Sequence, residues 1–326
     1  MAKQSSASTD LRIHTSLARL TGLAAQGRQL TWRPPLGRCS LLSGLNVASQ
    51  RGRGLDFIEL RHYHPGDDVR CIDWKVTQRT GQPYLRVYSE EKDKTIQLIV
   101  DQTSSLFFAS NGSMKSVIVA ELAAIVAGRV NYDGDRFCGN VIHDSGLTAL
   151  CSGRGESAML TVLQQVATHN HQLPQPSTQA NGLKQVLNDL CQRGIKDQQL
   201  FILSDFSDFD AQCVPLITQL AAHNDLFAFR VSDPLEMTLP KRNFLMGNEE
   251  YQLNISQNDE QLRAKYHDYI EQHRSVLDNC FKATGQPVFD FTTHLDTWTQ
   301  INNLAHFSFN SGLCTEQGSE RKGSAS

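Results

Sequence analysis

The chain has 326 residues, of which 40% are hydrophobic and 20% are charged, so a disordered or fibrous protein is excluded and a folded globular one is expected. The formal net charge of -3 gives no reason to expect binding of the whole molecule to nucleic acid or to a membrane. Residues 1–55 carry eight Lys or Arg against the single acid Asp10, which favours a solvated tail and helix face over an anion-binding surface.

The cysteines and the apolar runs indicate a cytoplasmic protein. The eight cysteines are scattered without a Cys-x-x-Cys pair, and the first ten residues are polar where a signal peptide would be apolar, so we expect reduced thiols. The most apolar stretch, residues 116–128, is shorter than the roughly 20 residues of a membrane span and contains Glu121. We therefore predict a buried core helix there and no transmembrane segment.

Taken in chain order, the elements predict an N-terminal part and a larger α/β part. Residues 1–94 begin with a helix near 13–26 and continue with short β elements at 56–62 and 84–89. Residues 95–310 alternate apolar strands with helical patterns, which predicts a doubly wound, mostly parallel sheet with helices on both faces. Residues 311–326 are polar and predict a flexible tail. In the α/β part the predicted strands are 96–101, 137–143, 147–150, 199–203, 225–231 and 288–291, with a hairpin at 244–255; the predicted helices are 115–130, 155–169, 180–193, 211–223, 259–284 and 297–306.

Oxygen-bearing side chains follow two of these strands. The run TIQLIVDQTSS places Asp101, Thr103 and Ser105 at the end of the first strand, and Asp205 follows a later one. Ligands in doubly wound sheets collect at the carboxyl ends of the strands, and carboxylate and hydroxyl oxygens suit Mg²⁺. Ser177 or Thr178, just before a helix, is a further candidate ligand. The alternative is that these residues only cap helices, but their order along the chain favours a site.

The order Asp-x-Thr-x-Ser, Thr before a helix and Asp after a strand resembles the metal-ion-dependent adhesion site of von Willebrand factor A domains. The family pattern is Asp-x-Ser-x-Ser with a distal Thr and Asp, and Thr103 keeps the hydroxyl of the Ser that it replaces. Phe206 stands where many of these domains have Gly. The resemblance implies a von Willebrand A-like fold and a magnesium site made by Asp101, Thr103, Ser105, Thr178 (or Ser177) and Asp205.

A second resemblance lies upstream, in Gly52-x-Gly54-x-x-Phe57-x-Glu59-Leu60-Arg61-x-Tyr63, Pro65-Gly66-Asp67-Asp68-Val69-Arg70-x-Ile72-Asp73-Trp74, Arg79-Thr80-Gly81 and Glu90-Glu91. This pattern is similar to the bacterial family called "domain of unknown function 58", in which such a segment precedes a von Willebrand A-like domain. The resemblance implies a partner protein of the MoxR-type AAA+ ATPase class and a chaperone-like or assembly role. It implies fold and context more than an activity.

Arginines and acids alternate along this segment and favour a mutually paired, partly buried ion network over a binding surface; they are Arg61, Arg70 and Arg79 with Glu59, Asp67, Asp68 and Asp73. Trp74 is expected to be a buried anchor.

An enzymatic alternative uses the turn that holds His62, His64 and Asp67, which superficially resembles the His-x-His-x-Asp-His motif of binuclear zinc hydrolases. The Asp is one residue too far along and no His follows it. The sequence also lacks a phosphate-binding G-x-x-x-x-G-K-[ST] loop. We therefore expect a non-enzymatic protein that docks a partner through Mg²⁺, with a metal-free structural scaffold and a zinc hydrolase as the alternatives.

Overall fold

The structure is a computed structural model that describes residues 10–30, 55–64, 67, 69–90, 94–173, 181–240, 243–247, 252–255 and 260–310. Contacts within the chain define two compact units, one of Leu36–Lys94 and one of Met1–Pro35 together with Thr95–Ser326. The sequence-based division placed residues 1–94 together, whereas the contacts group the first 35 residues with the α/β part. The predicted tail at 311–326 lies outside the described residues.

The apolar runs of the sequence form the strands of the larger unit. In the part of the chain that the structure describes, its main sheet has six strands in the order β10-β7-β6-β3-β4-β5, and a separate hairpin pairs β8 with β9. Neighbouring strands are parallel except for β5, which is antiparallel to β4. The predicted doubly wound, mostly parallel, von Willebrand A-like sheet is therefore confirmed. The strands are β1 Leu55–His62, β2 Tyr84–Glu90, β3 Thr95–Gln102, β4 Arg136–His143, β5 Gly146–Gly153, β6 Gln198–Ser204, β7 Asp225–Ser232, β8 Phe244–Gly247, β9 Gln252–Ile255 and β10 Val288–Thr292.

Helices cover both faces of this sheet, and successive residues of β3 point to opposite faces. Leu98 and Val100 pack with α1, α3, α4 and α9, whereas Ile99 packs with α5, α6 and α8. Burial on both sides explains why the strand reads as a continuous apolar run. The helices are α1 Leu17–Gly27, α2 Trp74–Thr80, α3 Lys115–Asp133, α4 Gly155–Gln172, α5 Gly182–Arg193, α6 Cys213–Ala221, α7 Pro234–Met237, α8 Glu260–Thr284 and α9 Thr297–Asn310.

The central helix α3 is the predicted core helix, buried around most of its circumference. Its one acid in the apolar stretch, Glu121, is 1% exposed and accepts hydrogen bonds from Arg19 and from the Thr297 hydroxyl, each at 2.5 Å. The charge is therefore paired, as a buried carboxylate requires. Among the helices that the structure describes, none has the length and hydropathy needed to cross a membrane.

The smaller unit pairs β1 with β2 in antiparallel register, with α2 between them in the chain. Asp73 is the N-cap of α2, and its side chain accepts hydrogen bonds from the amides of Lys75 and Val76. Within the segment for which an ion network was predicted, Arg61 and Asp67 form an ion pair at 2.7 Å. Trp74, predicted as a buried anchor, is 68% exposed, so that prediction is wrong. Trp74 is the first residue of α2, and the residue that is buried at this helix start is the preceding Asp73.

Two glycines let α1 and α3 approach closely. A Cβ added to Gly128 would lie 1.9 Å from the carbonyl oxygen of Ala24, and one added to Gly27 would lie 2.3 Å from that of Ile125. Backbone atoms cannot yield as a flexible side chain can, so these positions require glycine.

We expect Gly128→Ala to lower the free energy of unfolding by about 1–3 kcal/mol, because the new methyl forces the two helices apart. Gly22→Ala is the matched control, since Gly22 lies in α1 with open space around it; it should raise stability by up to about 1 kcal/mol through helix propensity. Urea denaturation of both variants measures the difference. Equal stability of the two variants would show that close contact between the helices does not require Gly128.

Candidate metal-binding site

Two acidic residues meet at the carboxyl ends of adjacent parallel strands. The register of β3 with β6 pairs Val100 with Leu203, so Asp101 at the end of β3 lies beside Ser204, and Asp205 follows directly. Both carboxylates are almost fully buried, with Asp101 7% exposed and the Asp205 side chain 6% exposed. The strand order therefore brings together the two acids that the sequence predicted as ligands.

Hydroxyl groups converge on Asp101. Its Oδ1 accepts from the amide of Thr103 at 3.1 Å and from the Thr103 hydroxyl at 2.8 Å, and its Oδ2 accepts from the Ser204 hydroxyl at 2.6 Å. A short 3₁₀ turn, Ser104–Leu106, then brings the Ser105 hydroxyl to 3.0 Å from that of Thr103. The three predicted residues of the first loop thus form one cluster of oxygens.

A buried carboxylate supports this turn from the neighbouring strand. Asp144, which follows β4, accepts from the amide of Ser104 at 3.0 Å and from its hydroxyl at 3.1 Å, both through Oδ1. Its Oδ2 is buried and has no hydrogen-bond partner within the described residues. Sequence reasoning missed Asp144, although its position directly after a predicted strand is the same signal that identified Asp101.

Asp205 has a cation of its own. Its Oδ2 accepts from Lys115 Nζ at 2.8 Å, and its Oδ1 accepts from the amide of Ser207 at 3.0 Å. The same ammonium donates to Glu236 Oε1 at 2.6 Å. The Lys115 side chain is only 3% exposed. Sequence reasoning missed this lysine; its one signal was a charged residue at the start of an otherwise apolar helix.

Phe206, which stands where the resemblance has Gly, adopts a left-handed backbone conformation. Its φ is +57°, in the left-handed region that side chains rarely adopt. The amide of Phe206 donates to the Ser204 hydroxyl at 3.0 Å, its carbonyl faces His273 Nε2 at 3.0 Å, and its ring is buried against Phe209. These contacts hold the loop after Asp205 without a glycine.

The predicted middle ligand, Thr178 or Ser177, lies outside the described residues. The chain that follows it is held near the site. The amide of Asn181 donates to Asp208 Oδ2 at 3.2 Å, and a Cβ on Gly182 would lie 2.3 Å from the Ile142 side chain near the end of β4. The entry to α5 is thus tied both to the loop after Asp205 and to the end of β4.

The electrostatics of the two acids differ. Burial, reinforced by the charge of Asp205, raises the pKa of Asp101 to about 7 despite the hydrogen bonds from Ser204 and Thr103. Burial also acts to raise the pKa of Asp205, but the ammonium of Lys115 outweighs it and the pKa is lowered. Asp205 is therefore neutralised within the chain, whereas no described cation balances the charge that Asp101 acquires when it loses its proton.

This donor set fits a hard divalent cation that keeps several of its waters. Oxygens bound at right angles about 2.1 Å from Mg²⁺ lie about 3 Å apart, and the oxygen separations in this cluster are 2.8 and 3.0 Å. Nowhere in the described chain do three or more His, Cys, Asp or Glu form a group that could hold a metal ion. Any metal at this edge would therefore depend on hydroxyls and water as well as on the two carboxylates.

The turn in the smaller unit does not assemble a zinc centre in the described residues. Asp67 uses one oxygen for Arg61 and the other for the amide of His64, while His62 Nε2 lies 3.1 Å from the Tyr84 hydroxyl. Each of these groups has a structural partner within the turn or the adjacent strands.

Known proteins resemble this chain, which has a von Willebrand A-like α/β unit with an oxygen-rich edge. The family described as "Protein of unknown function DUF58" matches residues 59–276, and the chain belongs to that family. Uncharacterized proteins of Mycobacterium bovis and Mycobacterium tuberculosis are 27% identical over 264 residues, which are 80% of this chain and 82% of theirs.

Solved structures also resemble the chain. An aerotolerance-related membrane protein from Bacteroides fragilis is 9% identical, with a TM-score of 0.39, over 67% of this chain and 99% of that one. A von Willebrand factor type A protein from Catenulispora acidiphila is 11% identical, with a TM-score of 0.37, over 70% of this chain and 44% of that one.

We expect Asp101 to make the metal-free chain less stable as the pH rises. Its folded-state pKa of about 7 lies above the unfolded value, which is about 3.9. The folded chain therefore holds the extra proton between these pH values, and the contribution of Asp101 to the free energy of unfolding falls from about pH 4 to pH 7.

The measurement is urea denaturation in EDTA at several pH values, comparing the wild type with Asp101→Asn. The amide variant should lack this decline, so the two curves should diverge as the pH rises. Asp133→Asn, a carboxylate paired with Arg129 at the end of α3, is the control and should follow the wild type. Parallel curves for the wild type and Asp101→Asn would contradict the electrostatic account.

Proposed function

We propose that the sheet edge around Asp101 binds a divalent cation, Mg²⁺ in the first place, and that the chain uses it to dock a partner protein. Asp101, Thr103, Ser105 and Asp205 would hold the ion, with Thr178 (or Ser177) as the further ligand. The observation that carries this proposal is the buried, unbalanced carboxylate of Asp101 within a cluster of hydroxyls at 2.8 and 3.0 Å. A structural cap would not need a second buried acid beside it.

Each residue has a distinct task in this arrangement. Asp101 supplies the negative charge, and Ser204 orients it through the 2.6 Å hydrogen bond to Oδ2. Thr103 and Ser105 supply neutral oxygens, so the ligand set is less negative than one built from carboxylates alone. When bound, Mg²⁺ would offer an exchangeable coordination position to a carboxylate of the partner.

The partner we propose is a MoxR-type AAA+ ATPase, and the role is chaperone-like or in assembly. This choice rests on the family to which the chain belongs rather than on a contact within the site. In this arrangement the hydroxyls of Thr103 and Ser204 hold the Asp101 carboxylate in place for the cation. We therefore propose a non-enzymatic docking module.

Asp101→Ala should weaken Mg²⁺ binding at least tenfold in calorimetric titration, because it removes the central acceptor of the cluster. Capture of a purified MoxR-type ATPase should weaken to the same level that EDTA produces with the wild type. Asp133→Ala, which removes a carboxylate from the exposed end of α3, should behave as wild type in both assays.

Circular dichroism and urea denaturation would show whether Asp101→Ala is folded. Ser105→Ala provides a second test if it is not, since that side chain contacts only the hydroxyl of Thr103 among the described hydrogen bonds; it should weaken Mg²⁺ binding by a smaller factor. Normal metal binding by folded Asp101→Ala would refute the metal site. Normal metal binding with ATPase capture that is insensitive to EDTA would refute the docking role alone.

A further inference from the structure

Among the described residues near the site, the buried ammonium of Lys115 opposes a metal through its positive charge. We propose that Lys115 is an internal counter-ion that competes with a divalent cation for Asp205 and thereby sets the cation affinity and the charge selectivity of the site. This inference rests on the proposed metal-binding function.

The position of Lys115 is fixed at both ends of the side chain. It is the first residue of α3, and its amide donates to the carbonyl of Phe108 at 3.1 Å. Its ammonium lies 2.8 Å from Asp205 Oδ2 and 2.6 Å from Glu236 Oε1, and the side chain is 3% exposed. Water therefore contributes little to its solvation, and the two carboxylates replace it.

Glu236 is itself held in place. Its second oxygen, Oε2, accepts from the amide of Asp233 at 3.1 Å, which forms a capping box at the start of α7. Asp233 in turn accepts from the Ser110 and Thr293 hydroxyls at 2.5 and 2.6 Å. These bonds join the loop before α3, the start of α7 and the end of β10. Glu236 is thus a fixed second acceptor that Lys115 retains if Asp205 turns toward a cation.

The charges explain the competition. The described ammonium of Lys115 pairs with Asp205 and Glu236, and Asp205 is the acid that both Lys115 and the proposed cation would use. Like charges repel strongly where water is excluded, so a bound cation must overcome both the Lys115–Asp205 pair and repulsion from the ammonium. Removing the ammonium should therefore strengthen cation binding.

The same charges favour a divalent ion over a monovalent one. The resident ammonium already offers Asp205 one positive charge at hydrogen-bonding distance. A sodium or potassium ion offers no greater charge, whereas Mg²⁺ or Mn²⁺ does, so only a divalent ion gains enough attraction to displace the pair.

The test is calorimetric titration of the full chain with MgCl₂, and separately with MnCl₂, in buffer containing sodium chloride. Lys115→Met keeps the length of the side chain and removes its charge, and should bind either ion at least tenfold more tightly than the wild type. It should also become more sensitive to sodium chloride, because monovalent ions now meet an unpaired Asp205. Lys282→Met, an exposed lysine in the last turn of α8, makes the same change in net charge and should bind as wild type.

Glu236→Gln is the second variant and should change affinity in the opposite direction. With Glu236 neutral, Asp205 is the one described carboxylate left to pair with the Lys115 ammonium. A cation must then break that pair without a second acceptor for the ammonium, so divalent binding should weaken several-fold. In the double variant with Lys115→Met this effect should shrink, because no ammonium remains to be transferred. Circular dichroism with urea denaturation in EDTA would show whether each variant folds. If Lys115→Met does not fold, the direction in which Glu236→Gln changes the divalent affinity decides whether Lys115 competes with the cation.

The outcomes separate this inference from the proposed function. Equal, measurable divalent affinity in the wild type and Lys115→Met would refute competition by Lys115 and leave the proposed metal site intact. Tighter or unchanged divalent binding by Glu236→Gln would refute the competition in the same way. Binding by Lys115→Met but not by the wild type supports the competition and refutes a metal-dependent function for the natural chain. No binding by either folded protein refutes both.

Discussion

Burial of Asp101 and Asp205 beside each other at the ends of two adjacent parallel strands is the constraint on which the candidate site depends. Two carboxylates removed from water repel each other and each needs a partner of opposite charge or several hydrogen-bond donors. The chain meets this need unequally, because Asp205 has the ammonium of Lys115, whereas the partners of Asp101 in the described part of the chain are hydroxyls and an amide. This asymmetry, rather than any one residue, is the reason for proposing that the edge binds a cation.

The fold delivers these partners through elements that are far apart in sequence. Helix α3 carries Lys115 on its first residue, and its packing against α1 at Gly128 fixes where the helix lies. The Asp233 hydrogen bonds then join the loop before α3 to α7 and so bring Glu236 to the ammonium. Packing of the core and chemistry of the site are therefore linked, since displacement of α3 would move the ammonium that neutralises Asp205.

A metal site in which one acid is already paired with an ammonium would respond to its partner differently from a site whose acids are unpaired. Binding of a divalent ion would be weakened by the Lys115–Asp205 pair, so occupancy would respond to whatever stabilises the bound state, including a partner's carboxylate. Such coupling suits a module that engages its partner reversibly, because ion and partner each favour binding of the other. The same coupling would allow the buried lysine and the proposed metal site to share one acid.

The sequence by itself determined the sheet, the core helix and the first loop of the site, because each depends on local patterns. Apolar runs at strand length, Glu121 within an apolar helix, and Asp101, Thr103 and Ser105 after a strand are all readable from neighbours in the chain. Burial of Trp74 was predicted wrongly, since its residue type says nothing about which side of α2 faces out. Tertiary structure alone decided that Lys115 reaches Asp205 and Glu236, 90 and 121 residues away, and that Asp144 supports the turn. Charge pairing across such separations depends on strand order and helix packing, which no local pattern encodes.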